Sequence, residues 1–318
     1  MVDVKEQSSR LYDILLYGAT GFTGKRVAQY LYSICQERLL IEGTSIKWAI
    51  AGRSQAKLGN VKRSLAGENR DFNSPALPEI FVADLENKSV LVTLFSTAKL
   101  VLNVTGPYRF HGAQIVEACL EAECDYMDVC GEPQFMEQCV LSYHETAKQK
   151  GVLILHACAF DSVPADLGAL FTTRQFLPQL CSSIESFLEI DCPEGLKAHY
   201  TTFESAVHGV SDASSLRDIR RQIDAKFKPP APNYIGPKLE RNQSYYFDER
   251  VQKWAIPFMG ADASVVKSSL RELGGSKERP TIPQYAAYAL LYDYSYLVSA
   301  MWYGGIFTTL SSFAAGLI

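Results

Sequence analysis

Short apolar runs recur through the first half of the chain, each of strand length and each followed by a stretch with helical spacing. Residues 12–17 (YDILLY) form the first, and 46–51 (IKWAIA), 80–83, 100–104 (LVLNV), 124–129 (CDYMDV) and 152–156 (VLILH) follow. Their length and bounding turn residues read as buried strands rather than helix cores. Between the first two lies GATGFTG at residues 18–24, leading into a helical pattern over 25–35. Strands that alternate with helices predict a parallel sheet covered on both faces, because each right-handed crossover carries the chain back over the sheet. Six such strands make a complete doubly wound domain over residues 1–158. The polar, proline-bearing stretch 67–78 predicts an exposed loop before the third strand.

After Phe160 the rhythm changes. Residues 183–190 and 198–203 alternate like strands with one polar face, 212–226 is a highly charged helix, 229–237 (PPAPNYIGP) is a connector, and 253–257 is apolar again. This predicts a second, α+β domain over 159–284, of the kind that holds substrate or pairs with another copy. From 285 to 318 Asp293 is the sole charge. About twenty such residues span a bilayer as a helix. An apolar helical tail is expected there, with two readings open: association with a membrane or lipid surface, or a core helix lacking its packing partners.

Composition narrows the classes further. A net charge of -4 over 318 residues gives no general attraction to nucleic acid or anionic lipid. Eight cysteines are scattered without a CxxC pair, and the histidines lack ligand spacing, so no metal site is expected. The opening residues 1–11 are polar and carry Asp3 and Glu6, unlike a secretory leader, so synthesis on the cytosolic side with reduced thiols is expected.

The glycine turn carries the chemistry. Gly18, Gly21 and Gly24 have GxxGxxG spacing between a strand and a helix. In a Rossmann domain the first glycine permits the tight turn, the second admits a pyrophosphate, and the third lets the helix pack closely on the strand. Ala19, Thr20, Phe22 and Thr23 complete this candidate cofactor loop. At the end of the second strand the acidic residue of an NAD site is missing; Arg53, Ser54 and Lys57 stand there instead. A guanidinium can fork two donors onto a ribose 2′-phosphate, so NADP(H) is the expected cofactor. Asp84, after the third strand, either meets the adenine or caps the next helix. Asn103, Thr105, Gly106 and Pro107, after the fourth strand, are candidates for the nicotinamide side.

Reduction also needs a proton, and strand ends nominate its carriers. Tyr108 and His111 are the first candidates; Glu132 and Asp161 lie in equivalent loops, whereas Asp128 with Glu132 either binds substrate or, the better reading, caps the helix beginning near Pro133. His144, His156, His199 and His208 read as packing or surface residues. No GxSxG, HExxH or GxxxxGK[ST] motif is present, so serine hydrolase, zinc protease and P-loop chemistry have no local support.

The runs YGATGFTGKRVAQYL, AGRSQAKL, NVTGPYRFHG, CDYMDVCGEPQF, ACAFDSVPADLG, IGPKL and IPFMGADASVV occur in order. Together they resemble the saccharopine dehydrogenase-like oxidoreductase family, over residues 12–287. The resemblance implies an NADP-binding Rossmann domain followed by an α+β domain. It also implies kinship with trans-acting enoyl reductases of bacterial glycolipid synthesis, and with animal proteins of lipid droplets and mitochondria. Family members continue past the hydrophobic segment whereas this sequence stops at Ile318, so an incomplete second domain is expected. The expected substrate is a hydrophobic carbonyl or enoyl compound. A lipid-droplet or membrane surface through 285–318 and a second copy of the chain are candidate partners, and nucleic acid is not. The alternative is a non-catalytic NADP-binding scaffold or sensor on a lipid surface.

Overall fold

The computed structural model describes residues 10–67, 73–191, 213–229, 231–242, 244–258, 260–274 and 281–291. The chain divides into two compact units, Met1–Cys130 with Ser142–Cys158, and Gly131–Leu141 with Ala159–Ile318.

The first unit holds a six-stranded sheet of β1 (Tyr12–Tyr17), β2 (Trp48–Gly52), β3 (Glu79–Val82), β4 (Ala98–Asn103), β5 (Asp125–Asp128) and β6 (Ile154–Leu155). All pairings are parallel and the spatial order is β3-β2-β1-β4-β5-β6. This is the doubly wound order whose reversal between β1 and β4 opens a crevice at the strands' carboxyl ends. The central strands β1 and β2 are largely apolar because helices cover the sheet: Leu15, Leu16, Ala49 and Ile50 are fully buried. The helices α1 (Phe22–Glu42), α2 (Gln55–Ala66), α3 (Lys88–Phe95) and α4 (Tyr108–Glu121) supply the other half of that core. On α1, Gly24, Ala28, Leu31 and Cys35 recur at helical spacing and form its buried stripe.

α1 runs seven residues beyond the expected 25–35, to a left-handed Gly43 cap with φ 66°. Its last turns carry exposed Leu40 and Ile41, so the one-sided pattern that marks a helix in sequence fails there although the backbone continues. β6 is shorter than the apolar run 152–156 that announced it.

α5 (Pro133–Lys150) begins in the second unit, which also holds α6 (Ser162–Gln175), α7 (Ala213–Phe227) and α8 (Asp262–Leu273). Residues 131–141, read from sequence as part of the first domain, group with the second for a physical reason. Glu137 accepts a two-pronged hydrogen bond from Arg220 of α7, and Lys226 donates to the carbonyl of Leu141 at 2.8 Å.

A second sheet of β7 (Ser183–Leu188), β8 (Tyr246–Asp248), β9 (Lys253–Pro257) and β10 (Gln284–Leu291) has the order β7-β10-β9-β8. β10 corrects the reading of an apolar helical tail from residue 285. It is a central strand, parallel to β7 and antiparallel to β9. Tyr285 and Ala287 pack with Ala169 of α6 and Val266 and Leu270 of α8, whereas Ala286 and Tyr288 pack on the opposite face with Ala255. A strand buried on both faces is apolar throughout, which in sequence cannot be told from a buried helix. The rest of the expected tail, and the expected strand 198–203, lie outside the described residues. Among the described residues no helix is long and apolar enough to cross a membrane.

Candidate functional site

The glycine turn sits where β1 hands over to α1. Gly18 has φ 91°, a left-handed conformation that a side chain strains, and a Cβ there would come within 2.4 Å of Thr105 Oγ1. A Cβ on Gly24 would lie 2.2 Å from the Gly18 carbonyl and 2.8 Å from Ala19 Cα, so only glycine lets α1 start this close to the strand. Gly21 leads the helix with no side-chain cap, so the first-turn N–H groups are offered to an outside acceptor, with the helix dipole behind them. A Cβ on Gly21 would meet nothing nearer than the Gly18 carbonyl at 3.5 Å, which leaves that side of the turn open. Thr105 Oγ1, beside the turn, is buried without a hydrogen-bond partner. An uncapped helix start, an open glycine and an orphaned hydroxyl together fit a dinucleotide pyrophosphate.

The residues expected to meet the adenosine end follow β2 and β3. Arg53 is exposed just past β2. Both Arg53 and Asp84 act on the buried Tyr17 hydroxyl, which donates to the Ala83 carbonyl at 3.0 Å. Burial foremost, then the Asp84 charge, push that phenol up to about 12, while Arg53 opposes them. Ser54 turns its hydroxyl to the Lys57 N–H as the α2 cap. Asp84 does not cap α3; that place is taken by Asn87, whose side chain accepts from Val90 N–H. A cavity of about 360 Å³ opens between α1 and α2, lined by Thr20, Lys25, Gln29, Lys57, Asn60 and Ser64 among others. Lys25, Gln29 and Asn60 carry no motif and were not legible in sequence; they meet Lys57 only because α1 and α2 lie side by side.

The strand ends on the other side of β1 differ from expectation. Asn103 is fully buried: its amide donates to the Tyr126 hydroxyl at 3.1 Å and its oxygen accepts from Thr105 N–H at 3.0 Å. It braces the loop from beneath rather than facing a ligand. Tyr108 is likewise buried, its hydroxyl donating to the Asn103 carbonyl at 3.1 Å and accepting from Val129 N–H at 3.4 Å. That hydroxyl links the ends of β4 and β5, which removes Tyr108 as a proton donor. His111 is half-buried in the first turn of α4, edge-on to Phe110. Gly106 is half-buried and Pro107 buried at the α4 start, with φ −66° at Pro107.

Sequence reasoning missed the group at the ends of β5 and β6. Asp128, read as a cap, is fully buried and contacts His156 Nδ1 at 2.6 Å. His156, read as packing or surface, has no motif around it, and only the pairing of β5 with β6 brings it to Asp128.

In the second unit Asp262 is buried near the Asp161 carboxyl, and burial foremost, then that neighbour, raises Asp262 to about 8. Asp161 stands at φ 90° before α6. Ser269 donates to Asp166 at 2.9 Å, tying α8 to α6.

A family profile described as the saccharopine dehydrogenase NADP binding domain matches residues 14–155. The saccharopine dehydrogenase-like oxidoreductase of Rattus norvegicus is 38% identical over 309 residues, covering 96% of this chain and 70% of the rat protein. The chain belongs to the saccharopine dehydrogenase-like oxidoreductase family. Its cofactor is accordingly NADP(H). A relative named lipid droplet localized protein in Caenorhabditis elegans is 33% identical, over 81% of this chain and 59% of its own. Apo saccharopine dehydrogenase (L-Glu forming) of Saccharomyces cerevisiae shares the fold, with a TM-score of 0.51 at 17% identity over 88% of this chain and 55% of its own.

Proposed function

We propose that the chain is an NADPH-dependent reductase of a hydrophobic, lipid-like carbonyl or enoyl compound. The observation that carries it is the uncapped start of α1 over an open glycine turn, with Arg53 at the end of the neighbouring strand. In this reading residues 18–24 and Thr105 receive the pyrophosphate. Arg53 and Lys57 hold the 2′-phosphate, with Ser54 limited to its capping role. Gly106 and Pro107 line the nicotinamide side. When bound, NADPH supplies a hydride; the protein positions the acceptor, excludes water and manages one proton. The N–H groups at the α1 start and the Arg53 guanidinium neutralise phosphate charge, which fixes the adenosine half.

A lipid-like substrate suits the composition of the second unit better than a polyanionic amino acid, whose recognition calls for clustered cations. The name of the C. elegans relative points the same way. α6 exposes Val163, Leu167 and Phe171 at i, i+4 spacing, with Phe160 beside them in sequence, a stripe that suits a lipid surface.

The test is a screen of medium- and long-chain enoyl thioesters, ketones and aldehydes for substrate-dependent loss of NADPH absorbance. Turnover of at least one compound, absent in Arg53→Ala at limiting NADPH, supports the reading. Tight NADPH binding without turnover of any of them would replace it with a non-catalytic NADP-binding scaffold.

A further inference from the structure

We propose that Lys25, on α1, holds the 2′-phosphate of the cofactor together with Lys57, in the groove between α1 and α2, and so selects NADPH over NADH. The inference rests on the cofactor reading above and deepens it by naming a residue that sets its specificity.

The two helices share one apolar layer, in which Ala28 and Leu31 of α1 belong to the same cluster as Leu58, Val61 and Leu65 of α2. Beside it lies the cavity of about 360 Å³, a size within the ordinary range of small-molecule sites. Lys25 and Gln29 stand at i, i+4 on α1, and Lys57, Asn60 and Ser64 at i, i+3, i+7 on α2. Each helix therefore lines the cavity with one polar ridge.

Every polar side chain in that lining can donate a hydrogen bond, and none is a carboxylate. Neither lysine forms an ion pair among the described residues. The two amides are committed in the same sense: Gln29 Oε1 accepts from Arg26 at 3.3 Å and Asn60 Oδ1 accepts from Arg63, which leaves their NH2 groups to be offered. Two ammonium groups without a counter-charge repel each other across the cavity they line, and an anion between them reverses that cost. The lining suits a negative guest.

Its place decides which anion. Thr20, at one end of the lining, belongs to the glycine turn that receives the pyrophosphate. Lys57 lies in the first turn of α2, just after Arg53 and Ser54, where a Rossmann fold sets the adenosine ribose. Lys25 lies in the first turn of α1, so both lysines stand at helix ends whose dipoles favour an anion. The 2′-phosphate is the negative group that NADPH carries there and NADH lacks. A lysine meets a phosphate as a point charge with three donors that turn to suit it, and so complements the flat fork of Arg53. An exposed lysine on a helix face is ordinarily a solvated charge; Lys25 is set apart by the donor-lined cavity it shares with Lys57.

The test titrates the full chain calorimetrically with NADPH, NADH and adenosine 2′,5′-bisphosphate, which keeps the 2′-phosphate without the nicotinamide half. Lys25→Gln removes the charge and keeps a good helix former; it should weaken NADPH and the bisphosphate by about fivefold or more and leave NADH within about twofold. Lys62→Gln, on α2 but outside the cavity lining, should leave all three within about twofold, which separates a local clamp from the general loss of a positive charge. Unchanged NADPH affinity in Lys25→Gln, equal losses for NADPH and NADH, or an equal loss in Lys62→Gln overturns the inference and leaves the cofactor reading standing. Failure of the unsubstituted chain to bind NADPH overturns the cofactor reading and this inference with it.

Discussion

At the residue scale the glycine turn and the basic residues after β2 were legible, and the buried hydrogen-bond partners at the ends of β4, β5 and β6 were not. Glycine spacing and the missing acidic residue after β2 announce themselves because backbone approach and phosphate charge demand specific residue types. Asn103 and Tyr108 misled because a polar residue at a strand end serves equally to face a ligand or to pin a loop, and only their partners decide. Arg53→Ala should weaken NADPH by about 1.5–3 kcal/mol, roughly 10- to 150-fold in Kd, and leave NADH almost unchanged; calorimetric titration of both checks it. Equal losses would remove Arg53 from the 2′-phosphate. Gly24→Ala sets a methyl against the Gly18 carbonyl, and should cost about 1–3 kcal/mol of stability by denaturant unfolding as well as NADPH affinity. Tyr108→Phe should cost about 0.5–1.5 kcal/mol of stability and leave turnover within a few-fold, since its hydroxyl joins two strand ends.

At the element scale the helices and strands of the first unit followed their hydrophobic period, and the exceptions have causes. α1 outran its apolar stripe, and β10 was hidden because both its faces are buried. The start of α8 carries a pH-sensitive feature that no pattern reveals, since Asp161 and Asp262 are about a hundred residues apart in sequence. Burial, then the neighbouring Asp161 carboxyl, hold Asp262 protonated up to about pH 8, against 3.8 ordinarily. Between those values the native unit keeps a proton that the unfolded chain releases, so its stability falls as pH rises through that window. Thermal unfolding followed from about pH 4 to 8 should show this decline, and Asp262→Asn, which stays neutral, should flatten it. An unchanged slope in the variant would mean that other groups set the pH dependence.

At the scale of the whole molecule, alternation of strand and helix was enough to give a doubly wound parallel sheet for the first unit, because crossover handedness leaves few alternatives. The second unit was legible only as a change of rhythm. Its sheet mixes parallel and antiparallel neighbours, and the pairing of β7 with β10 joins residues about a hundred positions apart. Residues 131–141 belong with it through Arg220 and Lys226, side chains that no local pattern links to α5.

The central claim is that the first unit is an NADP site. Thermal unfolding of the chain titrated with NADPH and with NADH tests it most directly, because a ligand that binds only the native state stabilises it, by about 2.7 kcal/mol at a hundred times its Kd. The account predicts a Tm that climbs with NADPH and responds to NADH only at far higher concentration. A folded sample whose Tm moves with neither, or equally with both, would contradict it.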